Sequence, residues 1–263
     1  MKKRGLAILI AALGVLCVVC GALLLLQGNS APVTAEPSPS STVEATPSPA
    51  PTETPEPASS QPETEESYVS PIDFGSLQGV NPDIYGWLEI PGTEFDFPLV
   101  QRQGDDSFYL THDSDGNESS AGAIFTESAY NSTTMEDPVT VAYGHQMHAG
   151  TMFGKLQETY SQENALEDYG EVIVYLPEKE LHYQVFAAVP YDNRHILYNY
   201  DCTDSRRFNA FLNSIYEVRE IGAQFASGVT VSTGDKVLVL STCLAGNSQR
   251  RYLVLAECQA EIE

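Results

Sequence analysis

The chain has 263 residues and a formal net charge of −23, from 13 basic and 36 acidic residues. Three of the basic residues fall in the first four positions and seven of the acidic ones between 28 and 68, which leaves ten against 29 for the rest. That excess argues against nucleic acid as a partner and against adhesion to an anionic membrane face.

Residues 1–4, Met-Lys-Lys-Arg, read as a cytoplasmic basic tail. Residues 5–27 read as a transmembrane signal-anchor: the run from Leu6 to Leu26 is apolar, interrupted only by small residues. A span needs about 20 residues, whereas a cleaved signal core has about 7–15. The expectation is therefore a single-pass protein of the cell membrane with its C-terminal part outside. Cleavage near Ser30–Ala31 is the alternative. Cys20 follows two valines and is followed by more apolar chain, so it does not resemble a lipid-modified cysteine. Residues 28–68 are rich in Pro, Ser, Thr and Glu and nearly devoid of large apolar side chains. Such a stretch cannot bury enough surface to offset its ordering entropy, and a disordered stalk is expected. Residues 69–263 remain for one domain with a sizeable core.

Within the domain the pattern is mostly of short strands. Pro71–Leu77 is expected to form a lead-in helix, and Asn81-Pro82 is a candidate cap and first position of another helical turn. Trp87–Ile90 and Glu94–Gln101 read as strands around the Pro91-Gly92 turn. Ser107–Leu110 is expected as a brief helix and Ala121–Thr126 as a strand. Val139–Tyr143 is a strand that ends in Gly144-His145; Thr151–Leu156 and Gln162–Asp168 follow as short helices. Glu171–Leu176 and Leu181–Val189 are strands. Asp204–Glu220 places Phe208, Phe211, Leu212 and Ile215 on one helical face behind an aspartate cap. Gly228–Val231, Val237–Cys243 and Arg251–Glu257 complete the strands. The fold class is mainly β: a closed barrel of seven or eight strands with short helices and one longer helix before the cysteine strand.

Chemistry concentrates at the end of Val237-Leu-Val-Leu-Ser-Thr-Cys243, a run apolar enough for a strand covered on both faces. If the next strand pairs with it, Arg251 falls near Cys243, and a guanidinium beside a thiol favours thiolate and can hold an oxyanion. Cys243 is one of three cysteines beyond the anchor, with Cys202 and Cys258. The odd number leaves at least one thiol unpaired unless it bridges to another chain. As a bare residue Cys243 reads equally as a small core hydrophobe. Among five histidines, His145 is best placed as proton partner, at the end of a buried strand after a glycine. His145 and His148 make a His-x-x-His pair, but two ligands without a third are a poor metal site. His112, His182 and His195 read as ordinary polar or packing residues. The sequons at Asn117 and Asn131 are treated as chance.

Four segments, in order, resemble class B sortases, the cysteine transpeptidases of Gram-positive bacteria. They are Asn81-Pro-Asp-Ile-Tyr-Gly-Trp-Leu-Glu-Ile-Pro-Gly-Thr93, Tyr143-Gly-His-Gln-Met-His-Ala-Gly-Thr-Met-Phe-Gly154, Leu240-Ser-Thr-Cys243 and Arg251-Tyr-Leu-Val254. The resemblance runs from about Ile72 to the C-terminus and includes the helix before the cysteine strand. It implies a sortase barrel, with Cys243 as nucleophile, His145 as general acid/base and Arg251 as the oxyanion-stabilising residue, and a chemistry that requires neither a metal nor an organic cofactor. The adjacent Arg250 competes for the last role. It also implies partners: surface proteins bearing a C-terminal sorting signal, and an amine acceptor from a peptidoglycan precursor or a pilin. The sequence departs from the family in Ile124-Phe-Thr-Glu-Ser128, where an aspartate is common near Glu127 and from which no catalytic conclusion is drawn, and at His148. Two rival readings remain at this stage, an exported cysteine hydrolase using the same Cys–His pair, and a non-enzymatic binding module on a stalk.

Overall fold

Residues 68–263 are described by a computed structural model. The expected tail and anchor, and nearly all of the expected stalk, lie outside the described residues. Among the described residues no helix is long and apolar enough to cross a membrane.

The chain begins with α1 (Phe74–Val80), whose first turn is capped by the Asp73 carboxylate accepting from the Ser76 backbone N–H. Asn81 stands at the C-terminal end of this helix, not at the start of another. Its buried side chain instead braces a turn, donating to Tyr109 Oη and to the Ser114 carbonyl, both at 2.8 Å. Strands β1 (Ile84–Glu89) and β2 (Asp96–Val100) form the expected hairpin, and a 3-10 turn follows at Phe108–Leu110. Next come β3 (Ile124–Phe125), β4 (Val139–Tyr143), α2 (Leu156–Tyr160) and α3 (Ala165–Asp168). Residues 151–155, expected to start a helix, form turns, and α2 begins only at Leu156. Strands β5 (Glu171–Tyr175) and β6 (Glu180–Tyr191) lead to a one-turn helix α4 (Ile196–Asn199) and the longer α5 (Ser205–Tyr216). After β7 (Gln224–Phe225), β8 (Val237–Leu244) and β9 (Asn247–Ile262) end the chain. The strand expected at Gly228–Val231 is absent; the short pairing to β6 is made just before it, by β7.

Eight strands close on themselves in the order β5-β1-β2-β3-β4-β8-β9-β6, with β6 returning to β5, while β7 lies outside the barrel on β6. Two neighbouring pairs are parallel, β2 with β3 and β4 with β8. The second explains the unbroken apolar run before Cys243. Leu238 and Leu240 point into the barrel core, whereas Val237 and Val239 join the layer beneath α5. β9 alternates in the same way, with Val254 and Ala256 inside and Leu253 and Leu255 under the helix. Both faces of β8 are thereby dry, and its position is fixed on each side. The edge of β4 that β3 does not cover is closed by Asn131, whose side chain donates to Val139 O and accepts from Val141 N. Buried and doubly bonded, Asn131 is no glycan acceptor.

Candidate active site

The parallel pairing of β4 with β8 sets Tyr143 opposite Ser241. Two residues on from each are His145 and Cys243, so both side chains leave neighbouring strands at the same end of the barrel. Gly144 makes the exit possible. A Cβ there would stand 2.5 Å from Ile124 Cδ1 and 2.7 Å from the Phe153 ring, so only glycine lets the chain pass between them. Gly122, with φ +63°, packs equally close from the other side: a Cβ would lie 2.5 Å from Tyr109 O and 3.1 Å from His145 Cδ2. His145 Nε2 is 2.9 Å from the carbonyl oxygen of Leu110. A carbonyl only accepts, so Nε2 carries a proton, and Nδ1 is left as the nitrogen that exchanges one.

From the other side, β9 pairs with β8 so that Arg251 is the direct cross-strand partner of Cys243. Arg251 Nη1 lies 3.8 Å from Cys243 Sγ and is steadied by the carbonyls of Ser248 at 3.1 Å and Arg250 at 3.2 Å. Its Nη2 and Nε have no protein partner among the described residues, and no carboxylate pairs with it there. Arg250 takes the opposite face of the strand, where both its terminal nitrogens bond Glu220 at 2.6 Å. The two adjacent arginines thus separate cleanly, one toward the thiol and one into a salt bridge.

Cys243, His145 and Arg251 open into one cavity of about 310 Å³, also lined by Leu110, Glu127, Tyr143, His195 and Thr242. Burial and the nearby Glu127 charge raise the Tyr143 hydroxyl pKa far above the ordinary tyrosine value, so it stays neutral. Thr242 is fully covered, and its hydroxyl has no hydrogen-bond partner among the described residues. A larger cleft of about 680 Å³ opens between α3 and the β7 region, but no cysteine, histidine or basic residue lines it. The other two thiols are unlike Cys243 in setting. Cys202 is buried beneath α5, where burial pushes its pKa up to about 12, and burial also raises that of Cys258. All three cysteines are free. Among the described residues no three His, Cys, Asp or Glu side chains converge as a metal site.

The sortase-domain family model matches residues 88–259, which contain β4, β8 and nearly all of β9 and so every side chain of this cavity. The chain belongs to the sortase family. The members it is similar to are class B sortases. Sortase B of Listeria monocytogenes is 29% identical over 178 residues, a match covering 64% of this chain and 65% of that protein. The structure of sortase B from Bacillus anthracis in complex with AAEK1 is 26% identical, with a TM-score of 0.60 and coverage of 70% of this chain and 83% of that one. A Streptococcus pyogenes class B sortase involved in pilus biogenesis is 25% identical, with a TM-score of 0.62 and coverage of 72% and 98%.

The structure brings the sequence-predicted Cys243, His145 and Arg251 to one cavity, and sequence reasoning passed over two other residues that line it. His195 Nε2 lies 2.7 Å from Glu127 Oε2 inside the cavity. Burial raises the Glu127 carboxyl pKa while the imidazole beside it pulls it back down. The two residues are 68 positions apart, and nothing local in either segment pairs them. The departure from the family pattern within residues 124–128 was the one available signal.

Proposed function

We propose that this protein is a membrane-anchored cysteine transpeptidase that cleaves a C-terminal sorting signal after threonine and passes the acyl group to an amine. The observation that carries the reading is the shared rim: Cys243 directly across from Arg251, with His145 leaving the neighbouring strand into the same cavity. Cys243 passes its thiol proton to His145 Nδ1 and the thiolate attacks the threonine carbonyl carbon; the carbonyl π electrons move to oxygen, whose negative charge is met by the unpartnered nitrogens of Arg251. The C–N bond then breaks, His145 gives its proton to the departing amine, and a thioester remains on Cys243. An acceptor amine attacks that thioester, His145 takes the amine's proton, and a new amide forms as the thiolate leaves.

The N-terminal segment 5–27 holds the enzyme in the membrane with the domain outside. The acceptor is a peptidoglycan-precursor amine or a pilin lysine; the pilus role of the Streptococcus pyogenes relative supports keeping the second. The test is a quenched library of Asn-Pro-x-Thr and Ser/Pro-Pro-x-Thr peptides, run with wild type and Cys243→Ala, with and without an amine, with products read by mass. The expected result is Cys243-dependent cleavage after threonine and an amine-linked product. Free acid alone, with amine present, would make the protein a hydrolase.

A further inference from the structure

One wall of the cavity is the connection from β6 to α5, residues 192–203. Its polar ties to the rest of the domain are few. α4 is a single turn, too short to stand by itself, and Tyr198 and Asn199 are exposed at its tip. Ile196 and Cys202 are buried in the layer beneath α5, with Leu197 and Tyr200 packed against it, but the polar contacts of this segment are nearly all internal. Arg194 bonds Asp192 and Tyr200, and Thr203 bonds Asp201. Among the described residues, one hydrogen bond carries a side chain of 192–203 across to the opposite wall of the cavity, and it is the contact of His195 with Glu127.

The geometry of that contact is specific. His195 Nδ1 accepts from the Tyr198 backbone N–H at 3.1 Å, capping α4, so the ring proton sits on Nε2 and is donated to Glu127. Asn199 Nδ2 returns to the His195 carbonyl at 2.7 Å, and the Tyr130 ring lies against the imidazole with centroids 4.7 Å apart. One side chain therefore caps the helix of the wall and, with its other nitrogen, fastens that wall to the segment after β3. The Glu127 side chain, only 17% exposed, is held on the barrel side.

We propose that the Glu127–His195 hydrogen bond is a strut that sets the width of the donor-peptide cleft, making both residues positioning residues and not acids or bases of the reaction. The inference rests on the transpeptidase reading. A wall held at the right distance presents a formed surface to the peptide, and without the strut binding must first order residues 192–203.

The test compares Glu127→Ala, His195→Ala and Glu127→Gln in the full chain, because glutamine keeps an oxygen that accepts from Nε2 but removes the charge. Both alanine variants are expected to raise KM for a cleaved peptide about five- to tenfold, the scale of one hydrogen bond, with kcat within about twofold. Glu127→Gln is expected to stay within about twofold of wild type in both. Unchanged KM in the alanine variants, or loss of kcat in Glu127→Gln, would overturn the proposal, the latter by revealing a proton-transfer role. If Glu127→Ala does not fold, His195→Ala decides by the same readout. Hydrogen exchange gives a second, activity-free measure: amides of 192–203 are expected to exchange faster in His195→Ala, and equal rates would reject the strut. If wild type cleaves no peptide, the transpeptidase reading fails, and the exchange data still judge the strut.

Discussion

At the scale of single residues, the site is made by strand parity. Arg250 and Arg251 follow one another on β9, so their side chains leave opposite faces, and only one can meet Cys243. The residue sequence alone leaves two adjacent arginines in competition; the cross-strand register separates them. Arg251→Ala is expected to lower kcat/KM about 10²–10³-fold, the usual loss on removing an oxyanion donor. Arg251→Lys recovers little of this, because an ammonium lacks the planar fork that keeps one nitrogen on the carbonyls while others face the substrate. Arg250→Ala is expected to keep activity within about fivefold and to leave the urea midpoint nearly unchanged, since its partnership with Glu220 is largely exposed. Steady-state rates and urea denaturation of the three variants check both statements. Similar losses from the two alanine variants would mean that the register does not assign the roles.

At the scale of elements, α5 matters as the lid on the outer face of the cysteine strand. Phe208, Phe211, Leu212 and Ile215 are all buried against Val237, Val239, Leu253 and Leu255, and Asp204 accepts from the Arg206 and Arg207 backbone N–H groups. Phe211→Ala is expected to cost about 3–5 kcal/mol through the cavity it leaves, and Asp204→Ala about 0.5–2 kcal/mol through the lost cap. Denaturant midpoints measure both. This helix was legible from its 3.6-residue spacing, and β8 from an apolar run that announced a strand covered on both faces. What was illegible was irregular. β7 holds two residues and owes its existence to the free edge of β6 beyond β5, so no local pattern marks it. Asn81 carries the composition of a helix start, yet its amide is claimed by Tyr109 and Ser114 from elsewhere in the chain. His195 likewise reads as an ordinary polar or packing residue until Glu127 is brought beside it. Motif residues were visible because the chemistry restricts their type; their supports were hidden because long-range contacts choose them.

At the scale of the whole molecule, the barrel closes where β5 meets β6, with Ile173 opposite His182. The His182 ring is held by Glu171 at 2.9 Å and Glu180 at 3.0 Å, and these two contacts raise its pKa against the opposing effect of burial. A raised histidine pKa in the folded state contributes stability that is full below about pH 6.5, the unfolded value, and is lost as pH rises through the folded value. His182→Gln is therefore expected to destabilise the domain more at pH 5 than at pH 9, by about 0.5–1 kcal/mol, as measured by urea midpoints at the two pH values. A difference of the same size at both would remove the closing histidine from the pH dependence. The order of strands within the barrel shapes the site, because β4, β8 and β9 are successive neighbours and so bring His145, Cys243 and Arg251 to a single cavity. The central claim is that Cys243 carries the acyl group between two substrates. It is tested most directly by intact mass of the protein mixed with a cleaved sorting peptide and quenched in acid. An adduct is expected on Cys243, equal in mass to the peptide up to its threonine, less one water, and it disappears on adding an amine as the amide product forms. Turnover without any adduct, and with full activity in Cys243→Ala, would contradict it.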